Sequence, residues 1–246
     1  MCEEIAFFKE NGYCVLPNVM DAETVERINQ ALDIDRENHS ELWQNRGGGR
    51  LQNANVLLGC SVLDETILHA NVLPLVKRLM GDEVCFSEYS VMIREPISDD
   101  PPDSKWHRDT SHLPKHPMKL LFLSVIYYLT GVDDSTHCFG IVPESIDQKD
   151  QMPTDRNGER AVPLHGKAGT AILFNAGSCH DVIYRRSDRE RRTIHIYFGH
   201  HTQKPLSNHT VFPKRLIHAK DVETSRLFSH PNRITQLVQN SFLGTS

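Results

Sequence analysis

The chain has 246 residues, enough for one full-sized domain with its own hydrophobic core. With 39% hydrophobic and 24% charged residues its composition is that of a globular protein, which excludes disordered and collagen-like classes. A formal charge of −5 sets up no overall field to attract a phosphate backbone, so the expectation is no nucleic-acid partner.

No run approaches the roughly 18 consecutive apolar residues of a membrane span. The opening MCEEIAFFKENG carries acids where a secretory signal carries basic residues. Six cysteines without CxxC spacing read as small buried hydrophobes, not as a disulfide lattice or a zinc knuckle. A reducing, cytoplasmic setting is the expectation.

In chain order, Ile5 and Phe8 share a helical face before Gly12, and YCVLPNVM then alternates as a short strand. Asp21 is placed to cap a second helix through Val25, Ile28 and Leu32, with Glu23 favourable to its dipole. Residues 35–55 turn polar, and the succession Gly47, Gly48, Gly49 predicts a mobile loop, fit for a lid. The glycines lack the trailing Lys-Ser or Lys-Thr of a phosphate loop. Ile67, Val72, Leu75, Val76 and Leu79 restore a helical stripe that Gly81 can end and Pro74 interrupts.

From there the period changes. VCFSEYSVMI, KLLFLSVIYYL, CFGIVP, GTAILFN and RTIHIYFGH are short runs rich in β-branched and aromatic residues, separated by turn residues. They predict a mainly β sandwich or barrel and not βαβ units. The tail from Lys204 fits a helical appendage or a covering arm equally well.

Fourteen histidines and 17 aspartates yield about one His-x-Asp triplet by composition alone, so His107 and Asp109 mean little without context. The context is a segment, SKWHRDTSH, lying between two strand candidates. Extended backbone puts His107 and Asp109 on one face and Trp106 and Arg108 on the other. His180, at the end of GTAILF, can supply a third ligand. Two imidazoles and a carboxylate suit Fe(II) with open positions, and equally a hydrolytic zinc ion. Arg191 favours the first. Alternation in RTIHIYFGH places it with Thr193, His195 and Tyr197, opposite Arg192, and a guanidinium fork suits the far carboxylate of a dicarboxylic cosubstrate. Arg185, Arg186 and Arg189 fit a solvated basic turn as well as a site. Ser124 and Tyr127 lie on opposite faces of their strand, and either can donate to such a cosubstrate. Trp106 is a candidate wall of the metal site, His112 and His116 of its entrance, and His195 a candidate neighbour of the ligands. Whether Arg46, Arg50, Arg94 and Lys105 surround one opening is not decided by spacing.

These features together resemble the phytanoyl-CoA dioxygenase-like family of Fe(II)- and 2-oxoglutarate-dependent oxygenases. The opening FFKENGYCVLPNVMDAETVERI, the WHRD triplet, GSCHDVIYRRSDRERR and their order carry the resemblance across nearly the whole chain. It implies a single domain over 1–246, folded as a double-stranded β-helix, a cupin-like jelly roll with packed N-terminal helices. It implies Fe(II) on His107, Asp109 and His180, and 2-oxoglutarate on Arg191. The reaction it implies consumes molecular oxygen, hydroxylates an unactivated C–H bond of a small metabolite, and releases succinate and CO2. Two departures concern the substrate. The family's Pro-Gly-Ser-His segment reads PESI here, and the distal histidine is followed by Asp181 and Val182 in place of Gly-Ser. Relatives with a small residue in place of the triplet's acid can halogenate, whereas Asp109 favours hydroxylation. The rival readings are a zinc-dependent hydrolase on a cupin-like barrel and a non-catalytic β-sandwich binding module.

Overall fold

The computed structural model describes residues 2–147 and 157–243. Helix α1 (Cys2–Asn11) leads into strand β1 (Tyr13–Leu16) and helix α2 (Ala22–Asn38). Asp21 caps α2 as expected, its side chain accepting from the Thr24 amide at 2.8 Å, and the helix buries Val25, Ile28 and Leu32. Strands β2 (Gln44–Asn45) and β3 (Arg50–Asn53) follow, then the short helix α3 (Asp64–Ile67) and α4 (Leu73–Met80). The stripe from Ile67 to Leu79 is thus two helices. Pro74 stands in the first turn of α4, where its missing N–H costs nothing, so the stripe is not one continuous helix, as the proline led one to expect. Gly81 ends α4 at φ 83°.

Seven strands complete the β structure: β4 (Val84–Arg94), β5 (Leu123–Tyr128), β6 (Cys138–Ile141), β7 (Val162–Leu164), β8 (Ala171–Asn175), β9 (His180–Ile183) and β10 (Arg191–His200). Helices α5 (Lys214–Ile217), α6 (Val222–Leu227) and α7 (Arg233–Leu243) close the chain. The tail is therefore both helical and a cover. Phe212 and Phe228 stack on Phe86 of β4 with ring centroids 4.8 and 4.7 Å apart. The last three residues, 244–246, lie outside the described range.

The strands form two sheets. One has seven strands in the order β1-β8-β5-β10-β4-β3-β2, and the other three in the order β7-β6-β9. Every strand pairing in both sheets is antiparallel. This corrects the expected mainly β jelly roll. Both sheets are open, no closed barrel forms among the described residues, and helices contribute at least as many residues as strands, so the fold is mixed α and β. The small sheet is too narrow to close against the large one. Its strands have three or four residues, and β7 carries Pro163, which has no N–H to donate to a neighbour. A second correction concerns 35–55. Instead of a structureless loop, β2 and β3 form a hairpin on the edge of the large sheet, turning through Gly47, Gly48 and Gly49 at φ 79°, 58° and 65°.

Alternation along the large sheet divides the interior into two layers. Val91, Ile93, Leu123, Val125, Tyr127, Ile194 and Ile196 face the helices and form the main core. On the other face, Ile126, Tyr128, Ile172 and Phe174 pack against Phe139, Ile141 and Leu164 of the small sheet. That layer is apolar only over β5 and β8. Over β10, β4 and β3 it buries Arg191, Thr193, His195, Tyr197, Glu88, Ser90 and Arg94, polar groups that an inert core would not bury, with Met92 and the half-buried Arg50 beside them.

Candidate active site

The His-x-Asp segment reaches His180 by backbone pairing. His107 and His180 exchange amide-to-carbonyl hydrogen bonds of 3.1 and 2.9 Å across an isolated antiparallel bridge. The amides of Asp109 and Thr110 both donate to the Ala176 carbonyl. On the other side of His107, Ser104 Oγ donates to the Val182 carbonyl and the Lys105 amide to Asp181 Oδ2. Residues 104–107 are thus zipped along β9 and 109–110 held on the turn before it, which places imidazoles from distant parts of the chain side by side, with ring centroids 4.7 Å apart.

His107 Nε2 lies 3.5 Å from Asp109 Oδ1, and His180 Nε2 lies 3.4 Å from Asp109 Oδ2. The ligand atoms of the three residues all fall within 4.8 Å of one another. Each histidine has its Nδ1 on a backbone carbonyl, Lys105 O at 2.8 Å and Ser178 O at 2.9 Å. A carbonyl only accepts, so each Nδ1 donates and each neutral ring turns the lone pair of Nε2 toward the common centre. Tyr197 donates its hydroxyl to Asp109 Oδ2 at 2.8 Å and fixes that carboxylate. Burial keeps the Tyr197 phenol well above its ordinary pKa, so it stays a donor. Burial works to raise the Asp109 carboxyl, but His107, His180 and Tyr197 outweigh it and hold it below the usual value. A hydrogen bond to Asp109 raises His107, and burial lowers His180.

These three residues open on a cavity of about 140 Å³ lined also by Arg50, Met92, Arg94, Phe139, Phe174, Asp181, Val182, Arg191, His195 and Tyr197. Arg191 is 5% exposed, and its Nε and Nη1 have no hydrogen-bond partner. A buried guanidinium with two unsatisfied nitrogens is costly, and its chemistry suits an anion. His195 hydrogen-bonds Thr193 Oγ1 at 3.0 Å, and burial pushes its imidazole down to about 3, so it lies neutral beside Arg191. A divalent metal on two imidazoles and a carboxylate, with a dicarboxylate reaching Arg191, fits this donor set.

Other candidates from the sequence fall elsewhere. Ser124 is fully buried on the inner face opposite Tyr197 and does not line the cavity. Tyr127 points to the helical side, donating to the Thr66 carbonyl at 2.9 Å. Trp106 covers Gly140 and Gly158 away from the metal-type cluster. His112 packs on Gly177, and His116 binds the Met80 carbonyl. Arg185 and Arg189 tie down the loop at Asp133, and Arg186 pairs with Asp100. Arg108, on the face opposite His107, forms a two-pronged pair with Glu144 at 2.6 and 2.7 Å and also donates to the Gly177 carbonyl. The unusual glutamate of PESI is therefore the partner of the arginine inside WHRD.

Met92, Phe139 and Phe174 were not singled out from the sequence. Arg50 and Arg94 could not be assigned to an opening. The usable signal was alternation along β4 from Arg94 back to Met92, but only the strand register shows which neighbour that face meets.

Among the described residues no helix is long and apolar enough to cross a membrane. Cys14, Cys60, Cys85, Cys138 and Cys179 are buried, as expected of small hydrophobes, and none is in a disulfide among the described residues.

Among curated proteins, none matches this sequence significantly. Solved structures do match. HygX from Streptomyces hygroscopicus, with nickel, 2-oxoglutarate and hygromycin B bound, has a TM-score of 0.69 at 14% identity over 83% of this chain and 89% of its own. The non-heme alpha ketoglutarate dependent epimerase SnoN from nogalamycin biosynthesis gives 0.64 at 20% identity, over 81% of this chain and 83% of its own. The carbocyclase SnoK from the same biosynthesis gives 0.65 at 19% identity, over 80% and 83%. At such identities the likeness speaks for the fold alone. The sequence model of the phytanoyl-CoA dioxygenase (PhyH) family matches residues 8–193, well over half the chain and inclusive of the two histidines, the aspartate and Arg191. With that span and a 2-His-1-carboxylate cluster at the cavity floor, the chain belongs to the phytanoyl-CoA dioxygenase family and is an enzyme of the Fe(II)- and 2-oxoglutarate-dependent class.

Proposed function

We propose that His107, Asp109 and His180 hold Fe(II), that Arg191 grips the far carboxylate of 2-oxoglutarate, and that the enzyme hydroxylates an unactivated C–H bond of a small-molecule metabolite. The observation that carries this reading is a buried guanidinium with unpartnered nitrogens in the same cavity as three converging ligand atoms. Bound there, iron and 2-oxoglutarate would supply the oxidation of the substrate by molecular oxygen, with release of succinate and CO2. The chain's own contribution is placement. Lys105 and Ser178 carbonyls fix the imidazole tautomers, and Tyr197 orients Asp109. Phe139, Phe174 and Val182 form an apolar wall that keeps water from the reacting centre.

A zinc hydrolase would use the same three ligands but has no use for Arg191. The direct test is succinate release with Fe(II), 2-oxoglutarate, oxygen and a mixed metabolite library. Hydroxylation adds the mass of one oxygen atom to a library member. Product of unchanged mass indicates epimerisation, and loss of two hydrogens indicates ring closure or desaturation; either sinks the hydroxylase assignment. Asp109→Ala is expected to abolish iron-dependent turnover, and full activity in that variant rules out the ligand set.

A further inference from the structure

The cavity holds more positive charge than iron and 2-oxoglutarate use. Arg191 of β10 stands directly opposite Arg94 of β4, and Arg94 directly opposite Arg50 of β3. Three guanidinium groups therefore form one row on the inner face of the sheet. Like charges placed opposite one another are destabilising, more so when withdrawn from water. Arg94 is 6% exposed and buried enough that its guanidinium falls to about 10, still a cation at neutral pH. It gives Nη1 to the Gly48 carbonyl at 3.1 Å and to the Tyr184 hydroxyl at 2.7 Å, which aims the fork and leaves Nε buried without a partner. Arg50 Nε is buried and unpartnered too. Among the described residues neither joins an ion pair. The cavity's carboxylates are Asp109 and Asp181. With Asp109 and the near carboxylate of the cosubstrate on the metal, and the far carboxylate on Arg191, two guanidiniums still face the single carboxylate of Asp181.

We infer that the prime substrate is a small acid whose carboxylate or phosphate is held by Arg94 and Arg50. This rests on the reading of the site given above and adds the class of substrate. Arg50, Arg94, His107 and Asp181 line both the inner cavity and an outer basin of about 380 Å³ that also includes Arg46, Lys105, Tyr184 and one further acid, Asp103. The anion site is thus the passage between basin and ligand cluster. An acid held there has its charged group close to the metal ligands, so the carbon oxidised lies within a few bonds of it. The hairpin contributes directly, because Gly48 anchors Arg94 and β3 carries Arg50.

Calorimetric titration under argon on nickel-loaded enzyme tests this in two steps. The first titrates 2-oxoglutarate. The second titrates inorganic phosphate, and separately propionate, into enzyme already saturated with 2-oxoglutarate. One of the two probes is expected to bind with unit stoichiometry, phosphate indicating a phosphorylated substrate and propionate a carboxylic acid. Arg94→Met and Arg50→Met should each weaken that probe by about tenfold or more while 2-oxoglutarate affinity stays unchanged; Arg191→Met should do the reverse. Arg94→Lys, which keeps the charge without the fork, serves as a second variant should Arg94→Met fold poorly, and should fall between. Absence of binding by both probes, or binding indifferent to Arg94 and Arg50, overturns the inference. Failure of the first titration overturns the cosubstrate reading instead. Phosphate titrated into enzyme without cosubstrate then decides the anion site, which stands on dependence on Arg94 and falls without it.

Discussion

At the level of single residues, Arg191 and His107 carry opposite kinds of unfinished chemistry. Arg191 is a buried charge whose Nε and Nη1 find no partner within the chain, so an arriving carboxylate gains paired, charge-assisted hydrogen bonds. Arg191→Ala leaves that carboxylate desolvated and unpaired, a loss of about 2 to 5 kcal/mol in 2-oxoglutarate binding. Direct titration checks this, and an unchanged affinity removes Arg191 from the role. His107 is half exposed and raised above its ordinary value, first by its hydrogen bond to Asp109. A protonated imidazole cannot ligate. Metal affinity should therefore fall as the pH drops through that raised pKa, steepening toward about tenfold per unit. His180, lowered by burial, starts to compete only at lower pH, and Asp109, held below its usual range, stays ionised throughout. Nickel titrations between about pH 5 and 8 read this directly, and a flat profile contradicts the assignment of His107.

At the level of elements, the ligand cluster depends on how residues 104–110 are laid along β9 and the turn before it. One side of that segment bonds to β9 backbone, and its other face is pinned by Arg108 on Glu144, both nearly buried. Removing one partner of such a pair strands the other charge, so Glu144→Ala should cost about 3 to 5 kcal/mol of stability by chemical denaturation. Metal affinity should fall with it, because Asp109 adjoins Arg108; a loss below about 1 kcal/mol would mean the pair is solvated in solution. This scale also shows what was legible in sequence. Hydrophobic runs announced β4, β5, β6, β8 and β10, and Asp21 announced α2, since those signals are local. The glycine run did not announce the two strands beside it, because three residues at positive φ serve a hairpin turn as readily as a longer loop. Pro74 did mark a break in the helical stripe, and it does so from the first turn of α4, where a proline is tolerated.

At the level of the whole molecule, the site lies where the two open sheets face each other, and its residues come from both. His107, Asp109, His180 and Arg191 were legible because side-chain alternation and residue chemistry can be read along one segment at a time. Arg94 and Arg50 were not. Their meaning lies in a register across three strands, Arg50 to Arg94 to Arg191, which no period in a single segment encodes. Closure was equally invisible, because runs of apolar residues do not say whether the sheet edges meet. A site spanning two sheets makes its ligands part of the fold's stability. Metal would join β9 to the segment laid beside it, and a dicarboxylate reaching Arg191 would join that assembly to the large sheet. Since neither ligand site exists in the unfolded chain, binding stabilises by mass action, by about 2.7 kcal/mol at a hundredfold excess over Kd. For a chain of this size that corresponds to a rise of about 5 to 10 °C in Tm. Nickel alone should give the first part of the rise and 2-oxoglutarate the second, the latter only when nickel is present. In Arg191→Ala the nickel part should persist and the 2-oxoglutarate part shrink. A 2-oxoglutarate shift that survives in that variant, or that needs no metal, would mean that the cosubstrate binds without bridging the two sheets.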